Sequence, residues 1–362
     1  MTNQTEPYAV VIDRFANVHA HLREIPLVGP LINYSVAGGI DAILAMPNLN
    51  APLTDAQSVL EYMQALRQFS PPSHPMTFIS TAYVTERTSS DDILGMVALG
   101  IEHFKVYPRH RTTKSQDGVV DYYGVIRAFR EAAIGARDEM GKRIFVHLHP
   151  EHPSMLFDDA DAEFAFLPIL RMLVETTEAV VVSEHGTDLR CIRHWKDLST
   201  SGRFYVTLTA HHLAADEDSV RGDVRAVCKP PIKRVLDREL LCQLVKEDHP
   251  WVLAGLDDAP HPASAKHVDS GGCACGSYTA PFGIQLYAHA LGDLAMTAEG
   301  AEVFQRLISR NARAAYGLPA ASGSVRLVKK PCRIPLRYPV VNFDVAPFWA
   351  GKTIDWSLEN VA

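Results

Sequence analysis

His19-x-His21, Lys105, His147, His185 and Asp257 are residues whose types and settings suit metal chemistry. In an extended strand, residues two apart project to the same side, so both imidazoles of the His-x-His pair can face one ion. Lys105 stands between Phe104 and Val106, His147 ends an apolar run, His185 follows another, and Asp257 follows a third. Each alone has an ordinary explanation: a rim lysine reaching water, a satisfied core histidine, an aspartate capping the next helix. Together, four imidazoles, an amine and a carboxylate suit two divalent, zinc-like ions. A protonated ammonium has no lone pair to offer. A neutral amine held near two cations can react with carbon dioxide, and the carbamate presents two oxygens that can bridge the pair. Such ions acidify a water and polarise a carbonyl, and Asp257 beside that water could take its proton and return it to a leaving nitrogen.

These residues need a frame that brings distant segments to one place. Eight short apolar or β-branched runs recur: Val10 to Val18, Ala42 to Met46, Thr77 to Val84, His103 to Tyr107, Arg143 to His147, Ala179 to Ser183, Phe204 to Thr209 and Trp251 to Gly255. Helical periodicity separates them, as in Asp55 to Phe69, Asp121 to Met140 and Asp161 to Glu178. The alternation predicts an α/β fold, a (β/α)8 TIM barrel whose active site lies at the C-terminal ends of the strands. A doubly wound open sheet is the alternative, but no G-x-G-x-x-G or Walker A motif follows an early strand. A helix over Ala298 to Gly317 is expected to close the barrel. The expected division is a barrel over residues 1–320 and a C-terminal extension over 321–362 that packs back on it.

The chain of 362 residues is 47% hydrophobic with a formal charge of −7, enough for a sizeable core. No Lys/Arg run supplies the footprint of a nucleic-acid binder, so small molecules are the expected partners. The N-terminal residues lack a signal-peptide pattern and no apolar run has membrane-spanning length, so a cytoplasmic location without membrane contact is expected. Six cysteines in a reducing compartment read as free thiols or ligands, and Cys273-x-Cys275 reads as a loop feature rather than a third metal site.

The set His19-x-His21-x-Arg23, Met46-Pro47-Asn48, Phe104-Lys105-Val106-Tyr107-Pro108, Val146-His147, Glu184-His185 and Asp257-x-Ala259-Pro260-His261 resembles the dihydroorotase family of the amidohydrolase superfamily. It is most similar to the shorter, monofunctional bacterial and fungal type, and the likeness extends to Thr112-Thr113 and to Ala346-Pro347-Phe348-Trp349-Ala350-Gly351. The resemblance implies that His19 and His21 bind one zinc ion, that His147 and His185 bind the other, and that carbamylated Lys105 bridges them. It implies that Asp257 completes the first site and acts as general acid and base. Arg23, Asn48 and His261 would hold a substrate carboxylate, and Thr112 and Thr113 would ride on a mobile loop. The implied reaction interconverts N-carbamoyl-L-aspartate and L-dihydroorotate in pyrimidine synthesis, in a homodimer.

Three departures or ambiguities accompany this reading. Lys229 follows Cys228 where an apolar residue is expected; a side chain reaching the substrate would put its identity in doubt, whereas a backbone contact would not. The cysteine-rich stretch keeps only Cys273 and Cys275. His149 and His152 lie close to His147 and leave the strand-five ligand open. The competing functions are a hydantoinase-like hydrolase of other cyclic amides, which needs no carboxylate clamp, and a silent homologue that scaffolds a partner enzyme, which would be expected to lose ligands.

Overall fold

The computed structural model describes residues 7–266 and 274–360. Its first strands are β1 (Ala9–Asp13), β2 (Phe15–Ala20), β3 (Ile40–Ala45), β4 (Thr77–Ile79) and β5 (Ala82–Val84). The series continues with β6 (His103–Val106), β7 (Phe145–Leu148), β8 (Val180–Ser183), β9 (Phe204–Leu208) and β10 (Val252–Ala254). Strands β2, β3 and β4 form one parallel ladder, and β5 to β10 form another in sequence order. The ladders meet where β10 runs beside β2: Leu256 N donates to Asn17 Oδ1 at 2.9 Å and His21 N to Asp258 O at 2.8 Å. Such parallel strands are buried on both faces, which is why they read as continuous apolar runs.

Two of the expected runs are each two elements. The stretch Val10 to Val18 breaks at Arg14, whose N–H turns to Gly323 O. Its first part, β1, is mostly half-buried, while every residue of β2 is buried. The stretch Thr77 to Val84 breaks between β4 and β5 at Ser80 and Thr81, where the Thr81 hydroxyl bonds to Ala45 O.

Helices cover the outside. Those over Ala56–Gln68 and Tyr122–Met140 start where Asp55 and Asp121 accept from the backbone N–H of Ser58 and Tyr123, as N-caps do. The third expected helix spans Ala162–Thr176. The segment Ala298–Tyr316 is helical with one π turn over Arg306–Arg310, and Gly317, at φ 64°, ends it in the left-handed conformation. Ala312, Ala315 and Tyr316 pack with Ala16, Leu44, Phe145, Val182 and Leu253 inside the barrel. This helix therefore plugs the end opposite the catalytic rim.

The tail adds β11 (Ser324–Val328), β12 (Cys332–Arg333), β13 (Tyr338–Val340), β14 (Phe343–Val345), β15 (Thr353–Ile354) and β16 (Ser357–Asn360). Strand β11 lies antiparallel between β1 and β16, so Ala9–Asp13 and Ser357–Asn360 share a sheet. Phe348 and Trp356 are fully buried. Among the described residues, no helix is long and apolar enough to cross a membrane.

Candidate active site

The strand ends deliver the expected residues, His147 excepted, to one rim. His19 is the next-to-last residue of β2 with His21 just beyond the strand, Lys105 lies within β6, and Glu184, His185 and Asp257 follow β8 and β10. Arg23, His185 and Asp257 have φ of 61°, 41° and 50°. Three non-glycine residues in the left-handed region at one rim are strain of the kind that folds retain at functional sites.

His19 Nε2 and His21 Nε2 lie 3.0 and 3.1 Å from the same oxygen, Asp257 Oδ1. Their other ring nitrogens are held. His19 Nδ1 donates to Glu184 Oε2 at 2.9 Å and His21 Nδ1 to Asn48 Oδ1 at 2.8 Å. That anchoring turns the Nε2 lone pairs toward Asp257, the arrangement that orients metal-binding imidazoles. One ligand atom from each of these three residues lies within 4.8 Å of the others.

Lys105 Nζ is wholly buried, with no hydrogen-bond partner among the described residues. Burial pushes its pKa down to about 8 against the pull of Glu184 and Asp257, which favours the neutral amine that carbamate formation needs. His185 Nδ1 is likewise buried and unpartnered, and its ring lies 5.3 Å from that of His19.

His147 does not join this set with a free nitrogen. Its Nδ1 is 2.6 Å from Glu184 Oε1 and its Nε2 is 2.9 Å from His103 Nδ1, deeper in the barrel beside the Tyr316 ring. His149, the alternative left open by the sequence, lies with its ring 4.6 Å from His185. Its Nε2 faces Glu151 Oε2 at 2.6 Å, leaving Nδ1 as the unengaged nitrogen. Sequence reasoning missed the roles of Glu184 and Glu151. Glu184 accepts from His19 and from Thr207 Oγ1, the latter at 2.6 Å. A carboxylate directly before His185 in an otherwise apolar strand was the available signal.

Arg23, Asn48, Thr112, Thr113, Lys229, Ala259, Cys275 and Gly276 surround His21 and Asp257, enclosing a cleft of about 20 Å³. Arg23 Nε donates to Pro260 O at 3.1 Å, and Nη2 lies 3.2 Å from His261 Nε2. Arg23 as a whole is 5% exposed, and no carboxylate among the described residues lies within ion-pair distance of its guanidinium. His261 Nε2 is also 2.9 Å from Cys275 O. Asn48 Nδ2 donates to Thr113 O at 3.0 Å and Thr113 Oγ1 to Cys275 O at 3.3 Å, so the Thr112-Thr113 loop lies over the cleft. Lys229 lines the cleft, but its ammonium turns away to Glu151 Oε1 at 3.0 Å and to Phe157 O. Cys273 lies outside the described residues.

An α/β barrel with His19, His21, Lys105, His185 and Asp257 at its C-terminal rim defines a metal-dependent cyclic amidohydrolase. The L-hydantoinase (dihydropyrimidinase) of Arthrobacter aurescens shares this fold, with a TM-score of 0.78 at 13% identity over 96% of this chain and 82% of its own. No family model matches the chain. A dihydroorotase of Halorhodospira halophila is 32% identical over 349 residues, covering 94% of this chain and 96% of that protein. The Saccharomyces cerevisiae dihydroorotase, solved in complex with 5-fluoroorotic acid, superposes with a TM-score of 0.84 at 26% identity, covering 99% and 100% of the two chains. The chain belongs to the dihydroorotase family.

Proposed function

We propose that the protein interconverts L-dihydroorotate and N-carbamoyl-L-aspartate, the ring-closing step of pyrimidine synthesis, on two zinc ions. The observation that carries this reading is Arg23: a buried guanidinium without a carboxylate partner, set beside the His19, His21 and Asp257 cluster. A buried cation is costly unless paired, and a substrate carboxylate is the partner it suits.

The donor set fits two ions. His19 Nε2, His21 Nε2 and Asp257 would hold one; His149 Nδ1 and His185 would hold the other, His149 replacing His147 because both nitrogens of His147 are engaged. Lys105, buried, with its pKa lowered and with no hydrogen-bond partner among the described residues, has the chemistry to take up carbon dioxide as a carbamate and bridge them. When bound, the ions lower the pKa of a coordinated water and polarise the amide carbonyl.

The chain's own groups do the rest. Arg23 binds the ring carboxylate, with His261 beside it, and so fixes which carbonyl faces the histidines. Asp257 takes the proton from the attacking water and delivers it to the ring nitrogen as the C–N bond breaks; ring closure runs the same path backwards. Asn48 holds His21 in its Nδ1–H tautomer and carries the Thr113 carbonyl. The Thr112-Thr113 loop, held over the cleft through Asn48 Nδ2 and Cys275 O, opens to admit substrate and closes to exclude water. The extension from Ala321 braces the barrel through the sheet that β11 makes with β1 and through Phe348.

Dihydroorotate hydrolysis, measured together with metal content on the same sample, tests the reading. Turnover with two zinc ions per chain is expected. A zinc-loaded protein that opens uncharged cyclic amides but not dihydroorotate would overturn it.

A further inference from the structure

A second cluster of metal-ligating side chains sits beyond the end of β9, outside the set assigned above. Thr209 caps the short helix Ala210–Ala214, accepting from His212 N at 3.2 Å. The cap places His211 and His212 side by side, with ring centroids 4.3 Å apart. The chain returns at Cys228, and one ligand atom from each of His211, His212 and Cys228 lies within 4.8 Å of the others, all three residues being buried.

The spacing is that of a coordination polyhedron. Cys228 Sγ is 3.6 Å from His212 Nε2, and Pro230 O is 3.0 Å from that nitrogen and 3.3 Å from the sulfur. Zinc–sulfur bonds of about 2.3 Å and zinc–nitrogen or zinc–oxygen bonds of about 2.1 Å make tetrahedral edges of roughly 3.4–3.6 Å. The three atoms therefore outline a slightly contracted face of such a tetrahedron. Hydrogen bonds to Pro230 O account for His212 and Cys228 without an ion, but they leave His211 unexplained. Among the described residues neither of its buried ring nitrogens has a hydrogen-bond partner, and such groups in folded proteins call for a water, an ion or another ligand.

We propose that His211, His212 and Cys228 form a third metal site for a thiophilic divalent ion, with zinc the best match and the Pro230 carbonyl completing the coordination. Loading releases one proton and needs no co-reactant. The Cys228 thiol gives up its proton, as a coordinated thiol does. His212 shifts its one ring proton from Nε2 to Nδ1 and, as that tautomer, donates to Thr209 Oγ1 at 2.7 Å. A ligand set closed by protein atoms has no open position for a substrate, so the ion's role is structural. It ties the end of β9 to the segment whose next residue, Lys229, lines the catalytic cleft.

Metal counting and zinc-edge X-ray absorption on the zinc-loaded full chain test this, because the proposed catalytic ligands include no sulfur. About three ions per chain are expected, about one third of them with a sulfur neighbour near 2.3 Å. Cys228→Ser should remove the sulfur signal and one ion. His211→Asn, which leaves the thiol in place, should also lose one ion and thereby guards against a fold defect specific to the serine variant. His21→Asn should deplete the catalytic ions and keep the sulfur-ligated one, so failure of the two-ion reading registers separately. Zinc without sulfur ligation in the parent protein, or a sulfur signal that survives Cys228→Ser, would overturn the site.

Discussion

Replacing Arg23 by Met should convert a carboxylate-selective enzyme into one nearly indifferent to that group. The structure says how much of the selectivity this one side chain carries. Of the three groups expected to clamp the carboxylate, Asn48 spends its Nδ2 on Thr113 O, and His261 Nε2 faces Cys275 O. Arg23 commits Nε to Pro260 O, which fixes the plane of the fork and leaves the Nη atoms for substrate. One charge-assisted hydrogen bond contributes about 1.5–3 kcal/mol, or roughly 10- to 150-fold. A bidentate contact should therefore bring the loss in kcat/KM for dihydroorotate to at least about 100-fold. For dihydrouracil, which lacks the carboxylate, kcat/KM should barely change. Ring opening followed by ultraviolet absorbance, on parent and variant with both compounds, gives the four numbers required. Because the substitution removes an unpaired buried cation, thermal stability should hold or rise, and zinc content should not change. Equal hydrolysis of the two compounds by the parent, or an undiminished preference in the variant, would refute the clamp.

Asp257→Asn should lower kcat by roughly 10²–10⁴-fold, the usual worth of positioned proton transfer, with a much smaller change in KM; steady-state kinetics decide. His149→Asn should cost zinc affinity and activity together, whereas His147→Asn, which keeps a hydrogen-bonding side chain on Glu184, should retain both catalytic ions; comparing metal content of the two variants checks the assignment. Glu151→Gln should destabilise the chain by about 3–5 kcal/mol in urea unfolding, because it strands Arg111 and Lys229 as buried cations. Burial alone would raise the Glu151 carboxyl, but His149, Lys229 and Arg111 bring it from 4.5 down to about 2, a contribution of about 3 kcal/mol. A depressed carboxyl stabilises the fold fully above its unfolded value and loses that effect as pH falls toward 2. The gap between parent and Glu151→Gln, measured on metal-free protein, should thus be widest above pH 5 and shrink on acidification; a gap independent of pH would count against the ion-pair explanation.

The barrel is legible in the sequence because strands buried on both faces cannot hide their apolar runs. What the runs do not reveal is where a strand changes partner. Only Arg14 separates Asp13 from Phe15 in sequence, yet β1 pairs with β11 from the tail while β2 enters the barrel. The site was legible in its residue types and less so in its depth. Phe145, His147 and His149 alternate along one strand, and periodicity assigns all three to the same face. Only the plug helix shows which lies low. The Tyr316 ring meets those of Phe145 and His147, and His149 is the member that reaches His185 at the rim.

Lys229 shows why a single departure from a family pattern cannot be judged from sequence alone. An ammonium aimed into the cleft would compete with Arg23 for the substrate carboxylate and blur the specificity. Instead it is buried against Glu151, which also takes Arg111 Nη2 at 3.0 Å and His149 Nε2 at 2.6 Å. Arg111 immediately precedes Thr112-Thr113 and donates to Met155 O at 2.7 Å, while Lys229 reaches Phe157 O. One carboxylate thus connects the loop over the cleft, the segment around residues 155–157 and the proposed metal ligand His149. The charge count matters here: two fixed cations on one carboxylate keep Glu151 ionised, and an ionised Glu151 holds His149 with its Nε2 proton turned inward and Nδ1 free. An apolar residue at position 229 would leave Arg111 alone to do this. The lysine therefore adds to the support behind the metal site and leaves the substrate-facing chemistry to Arg23.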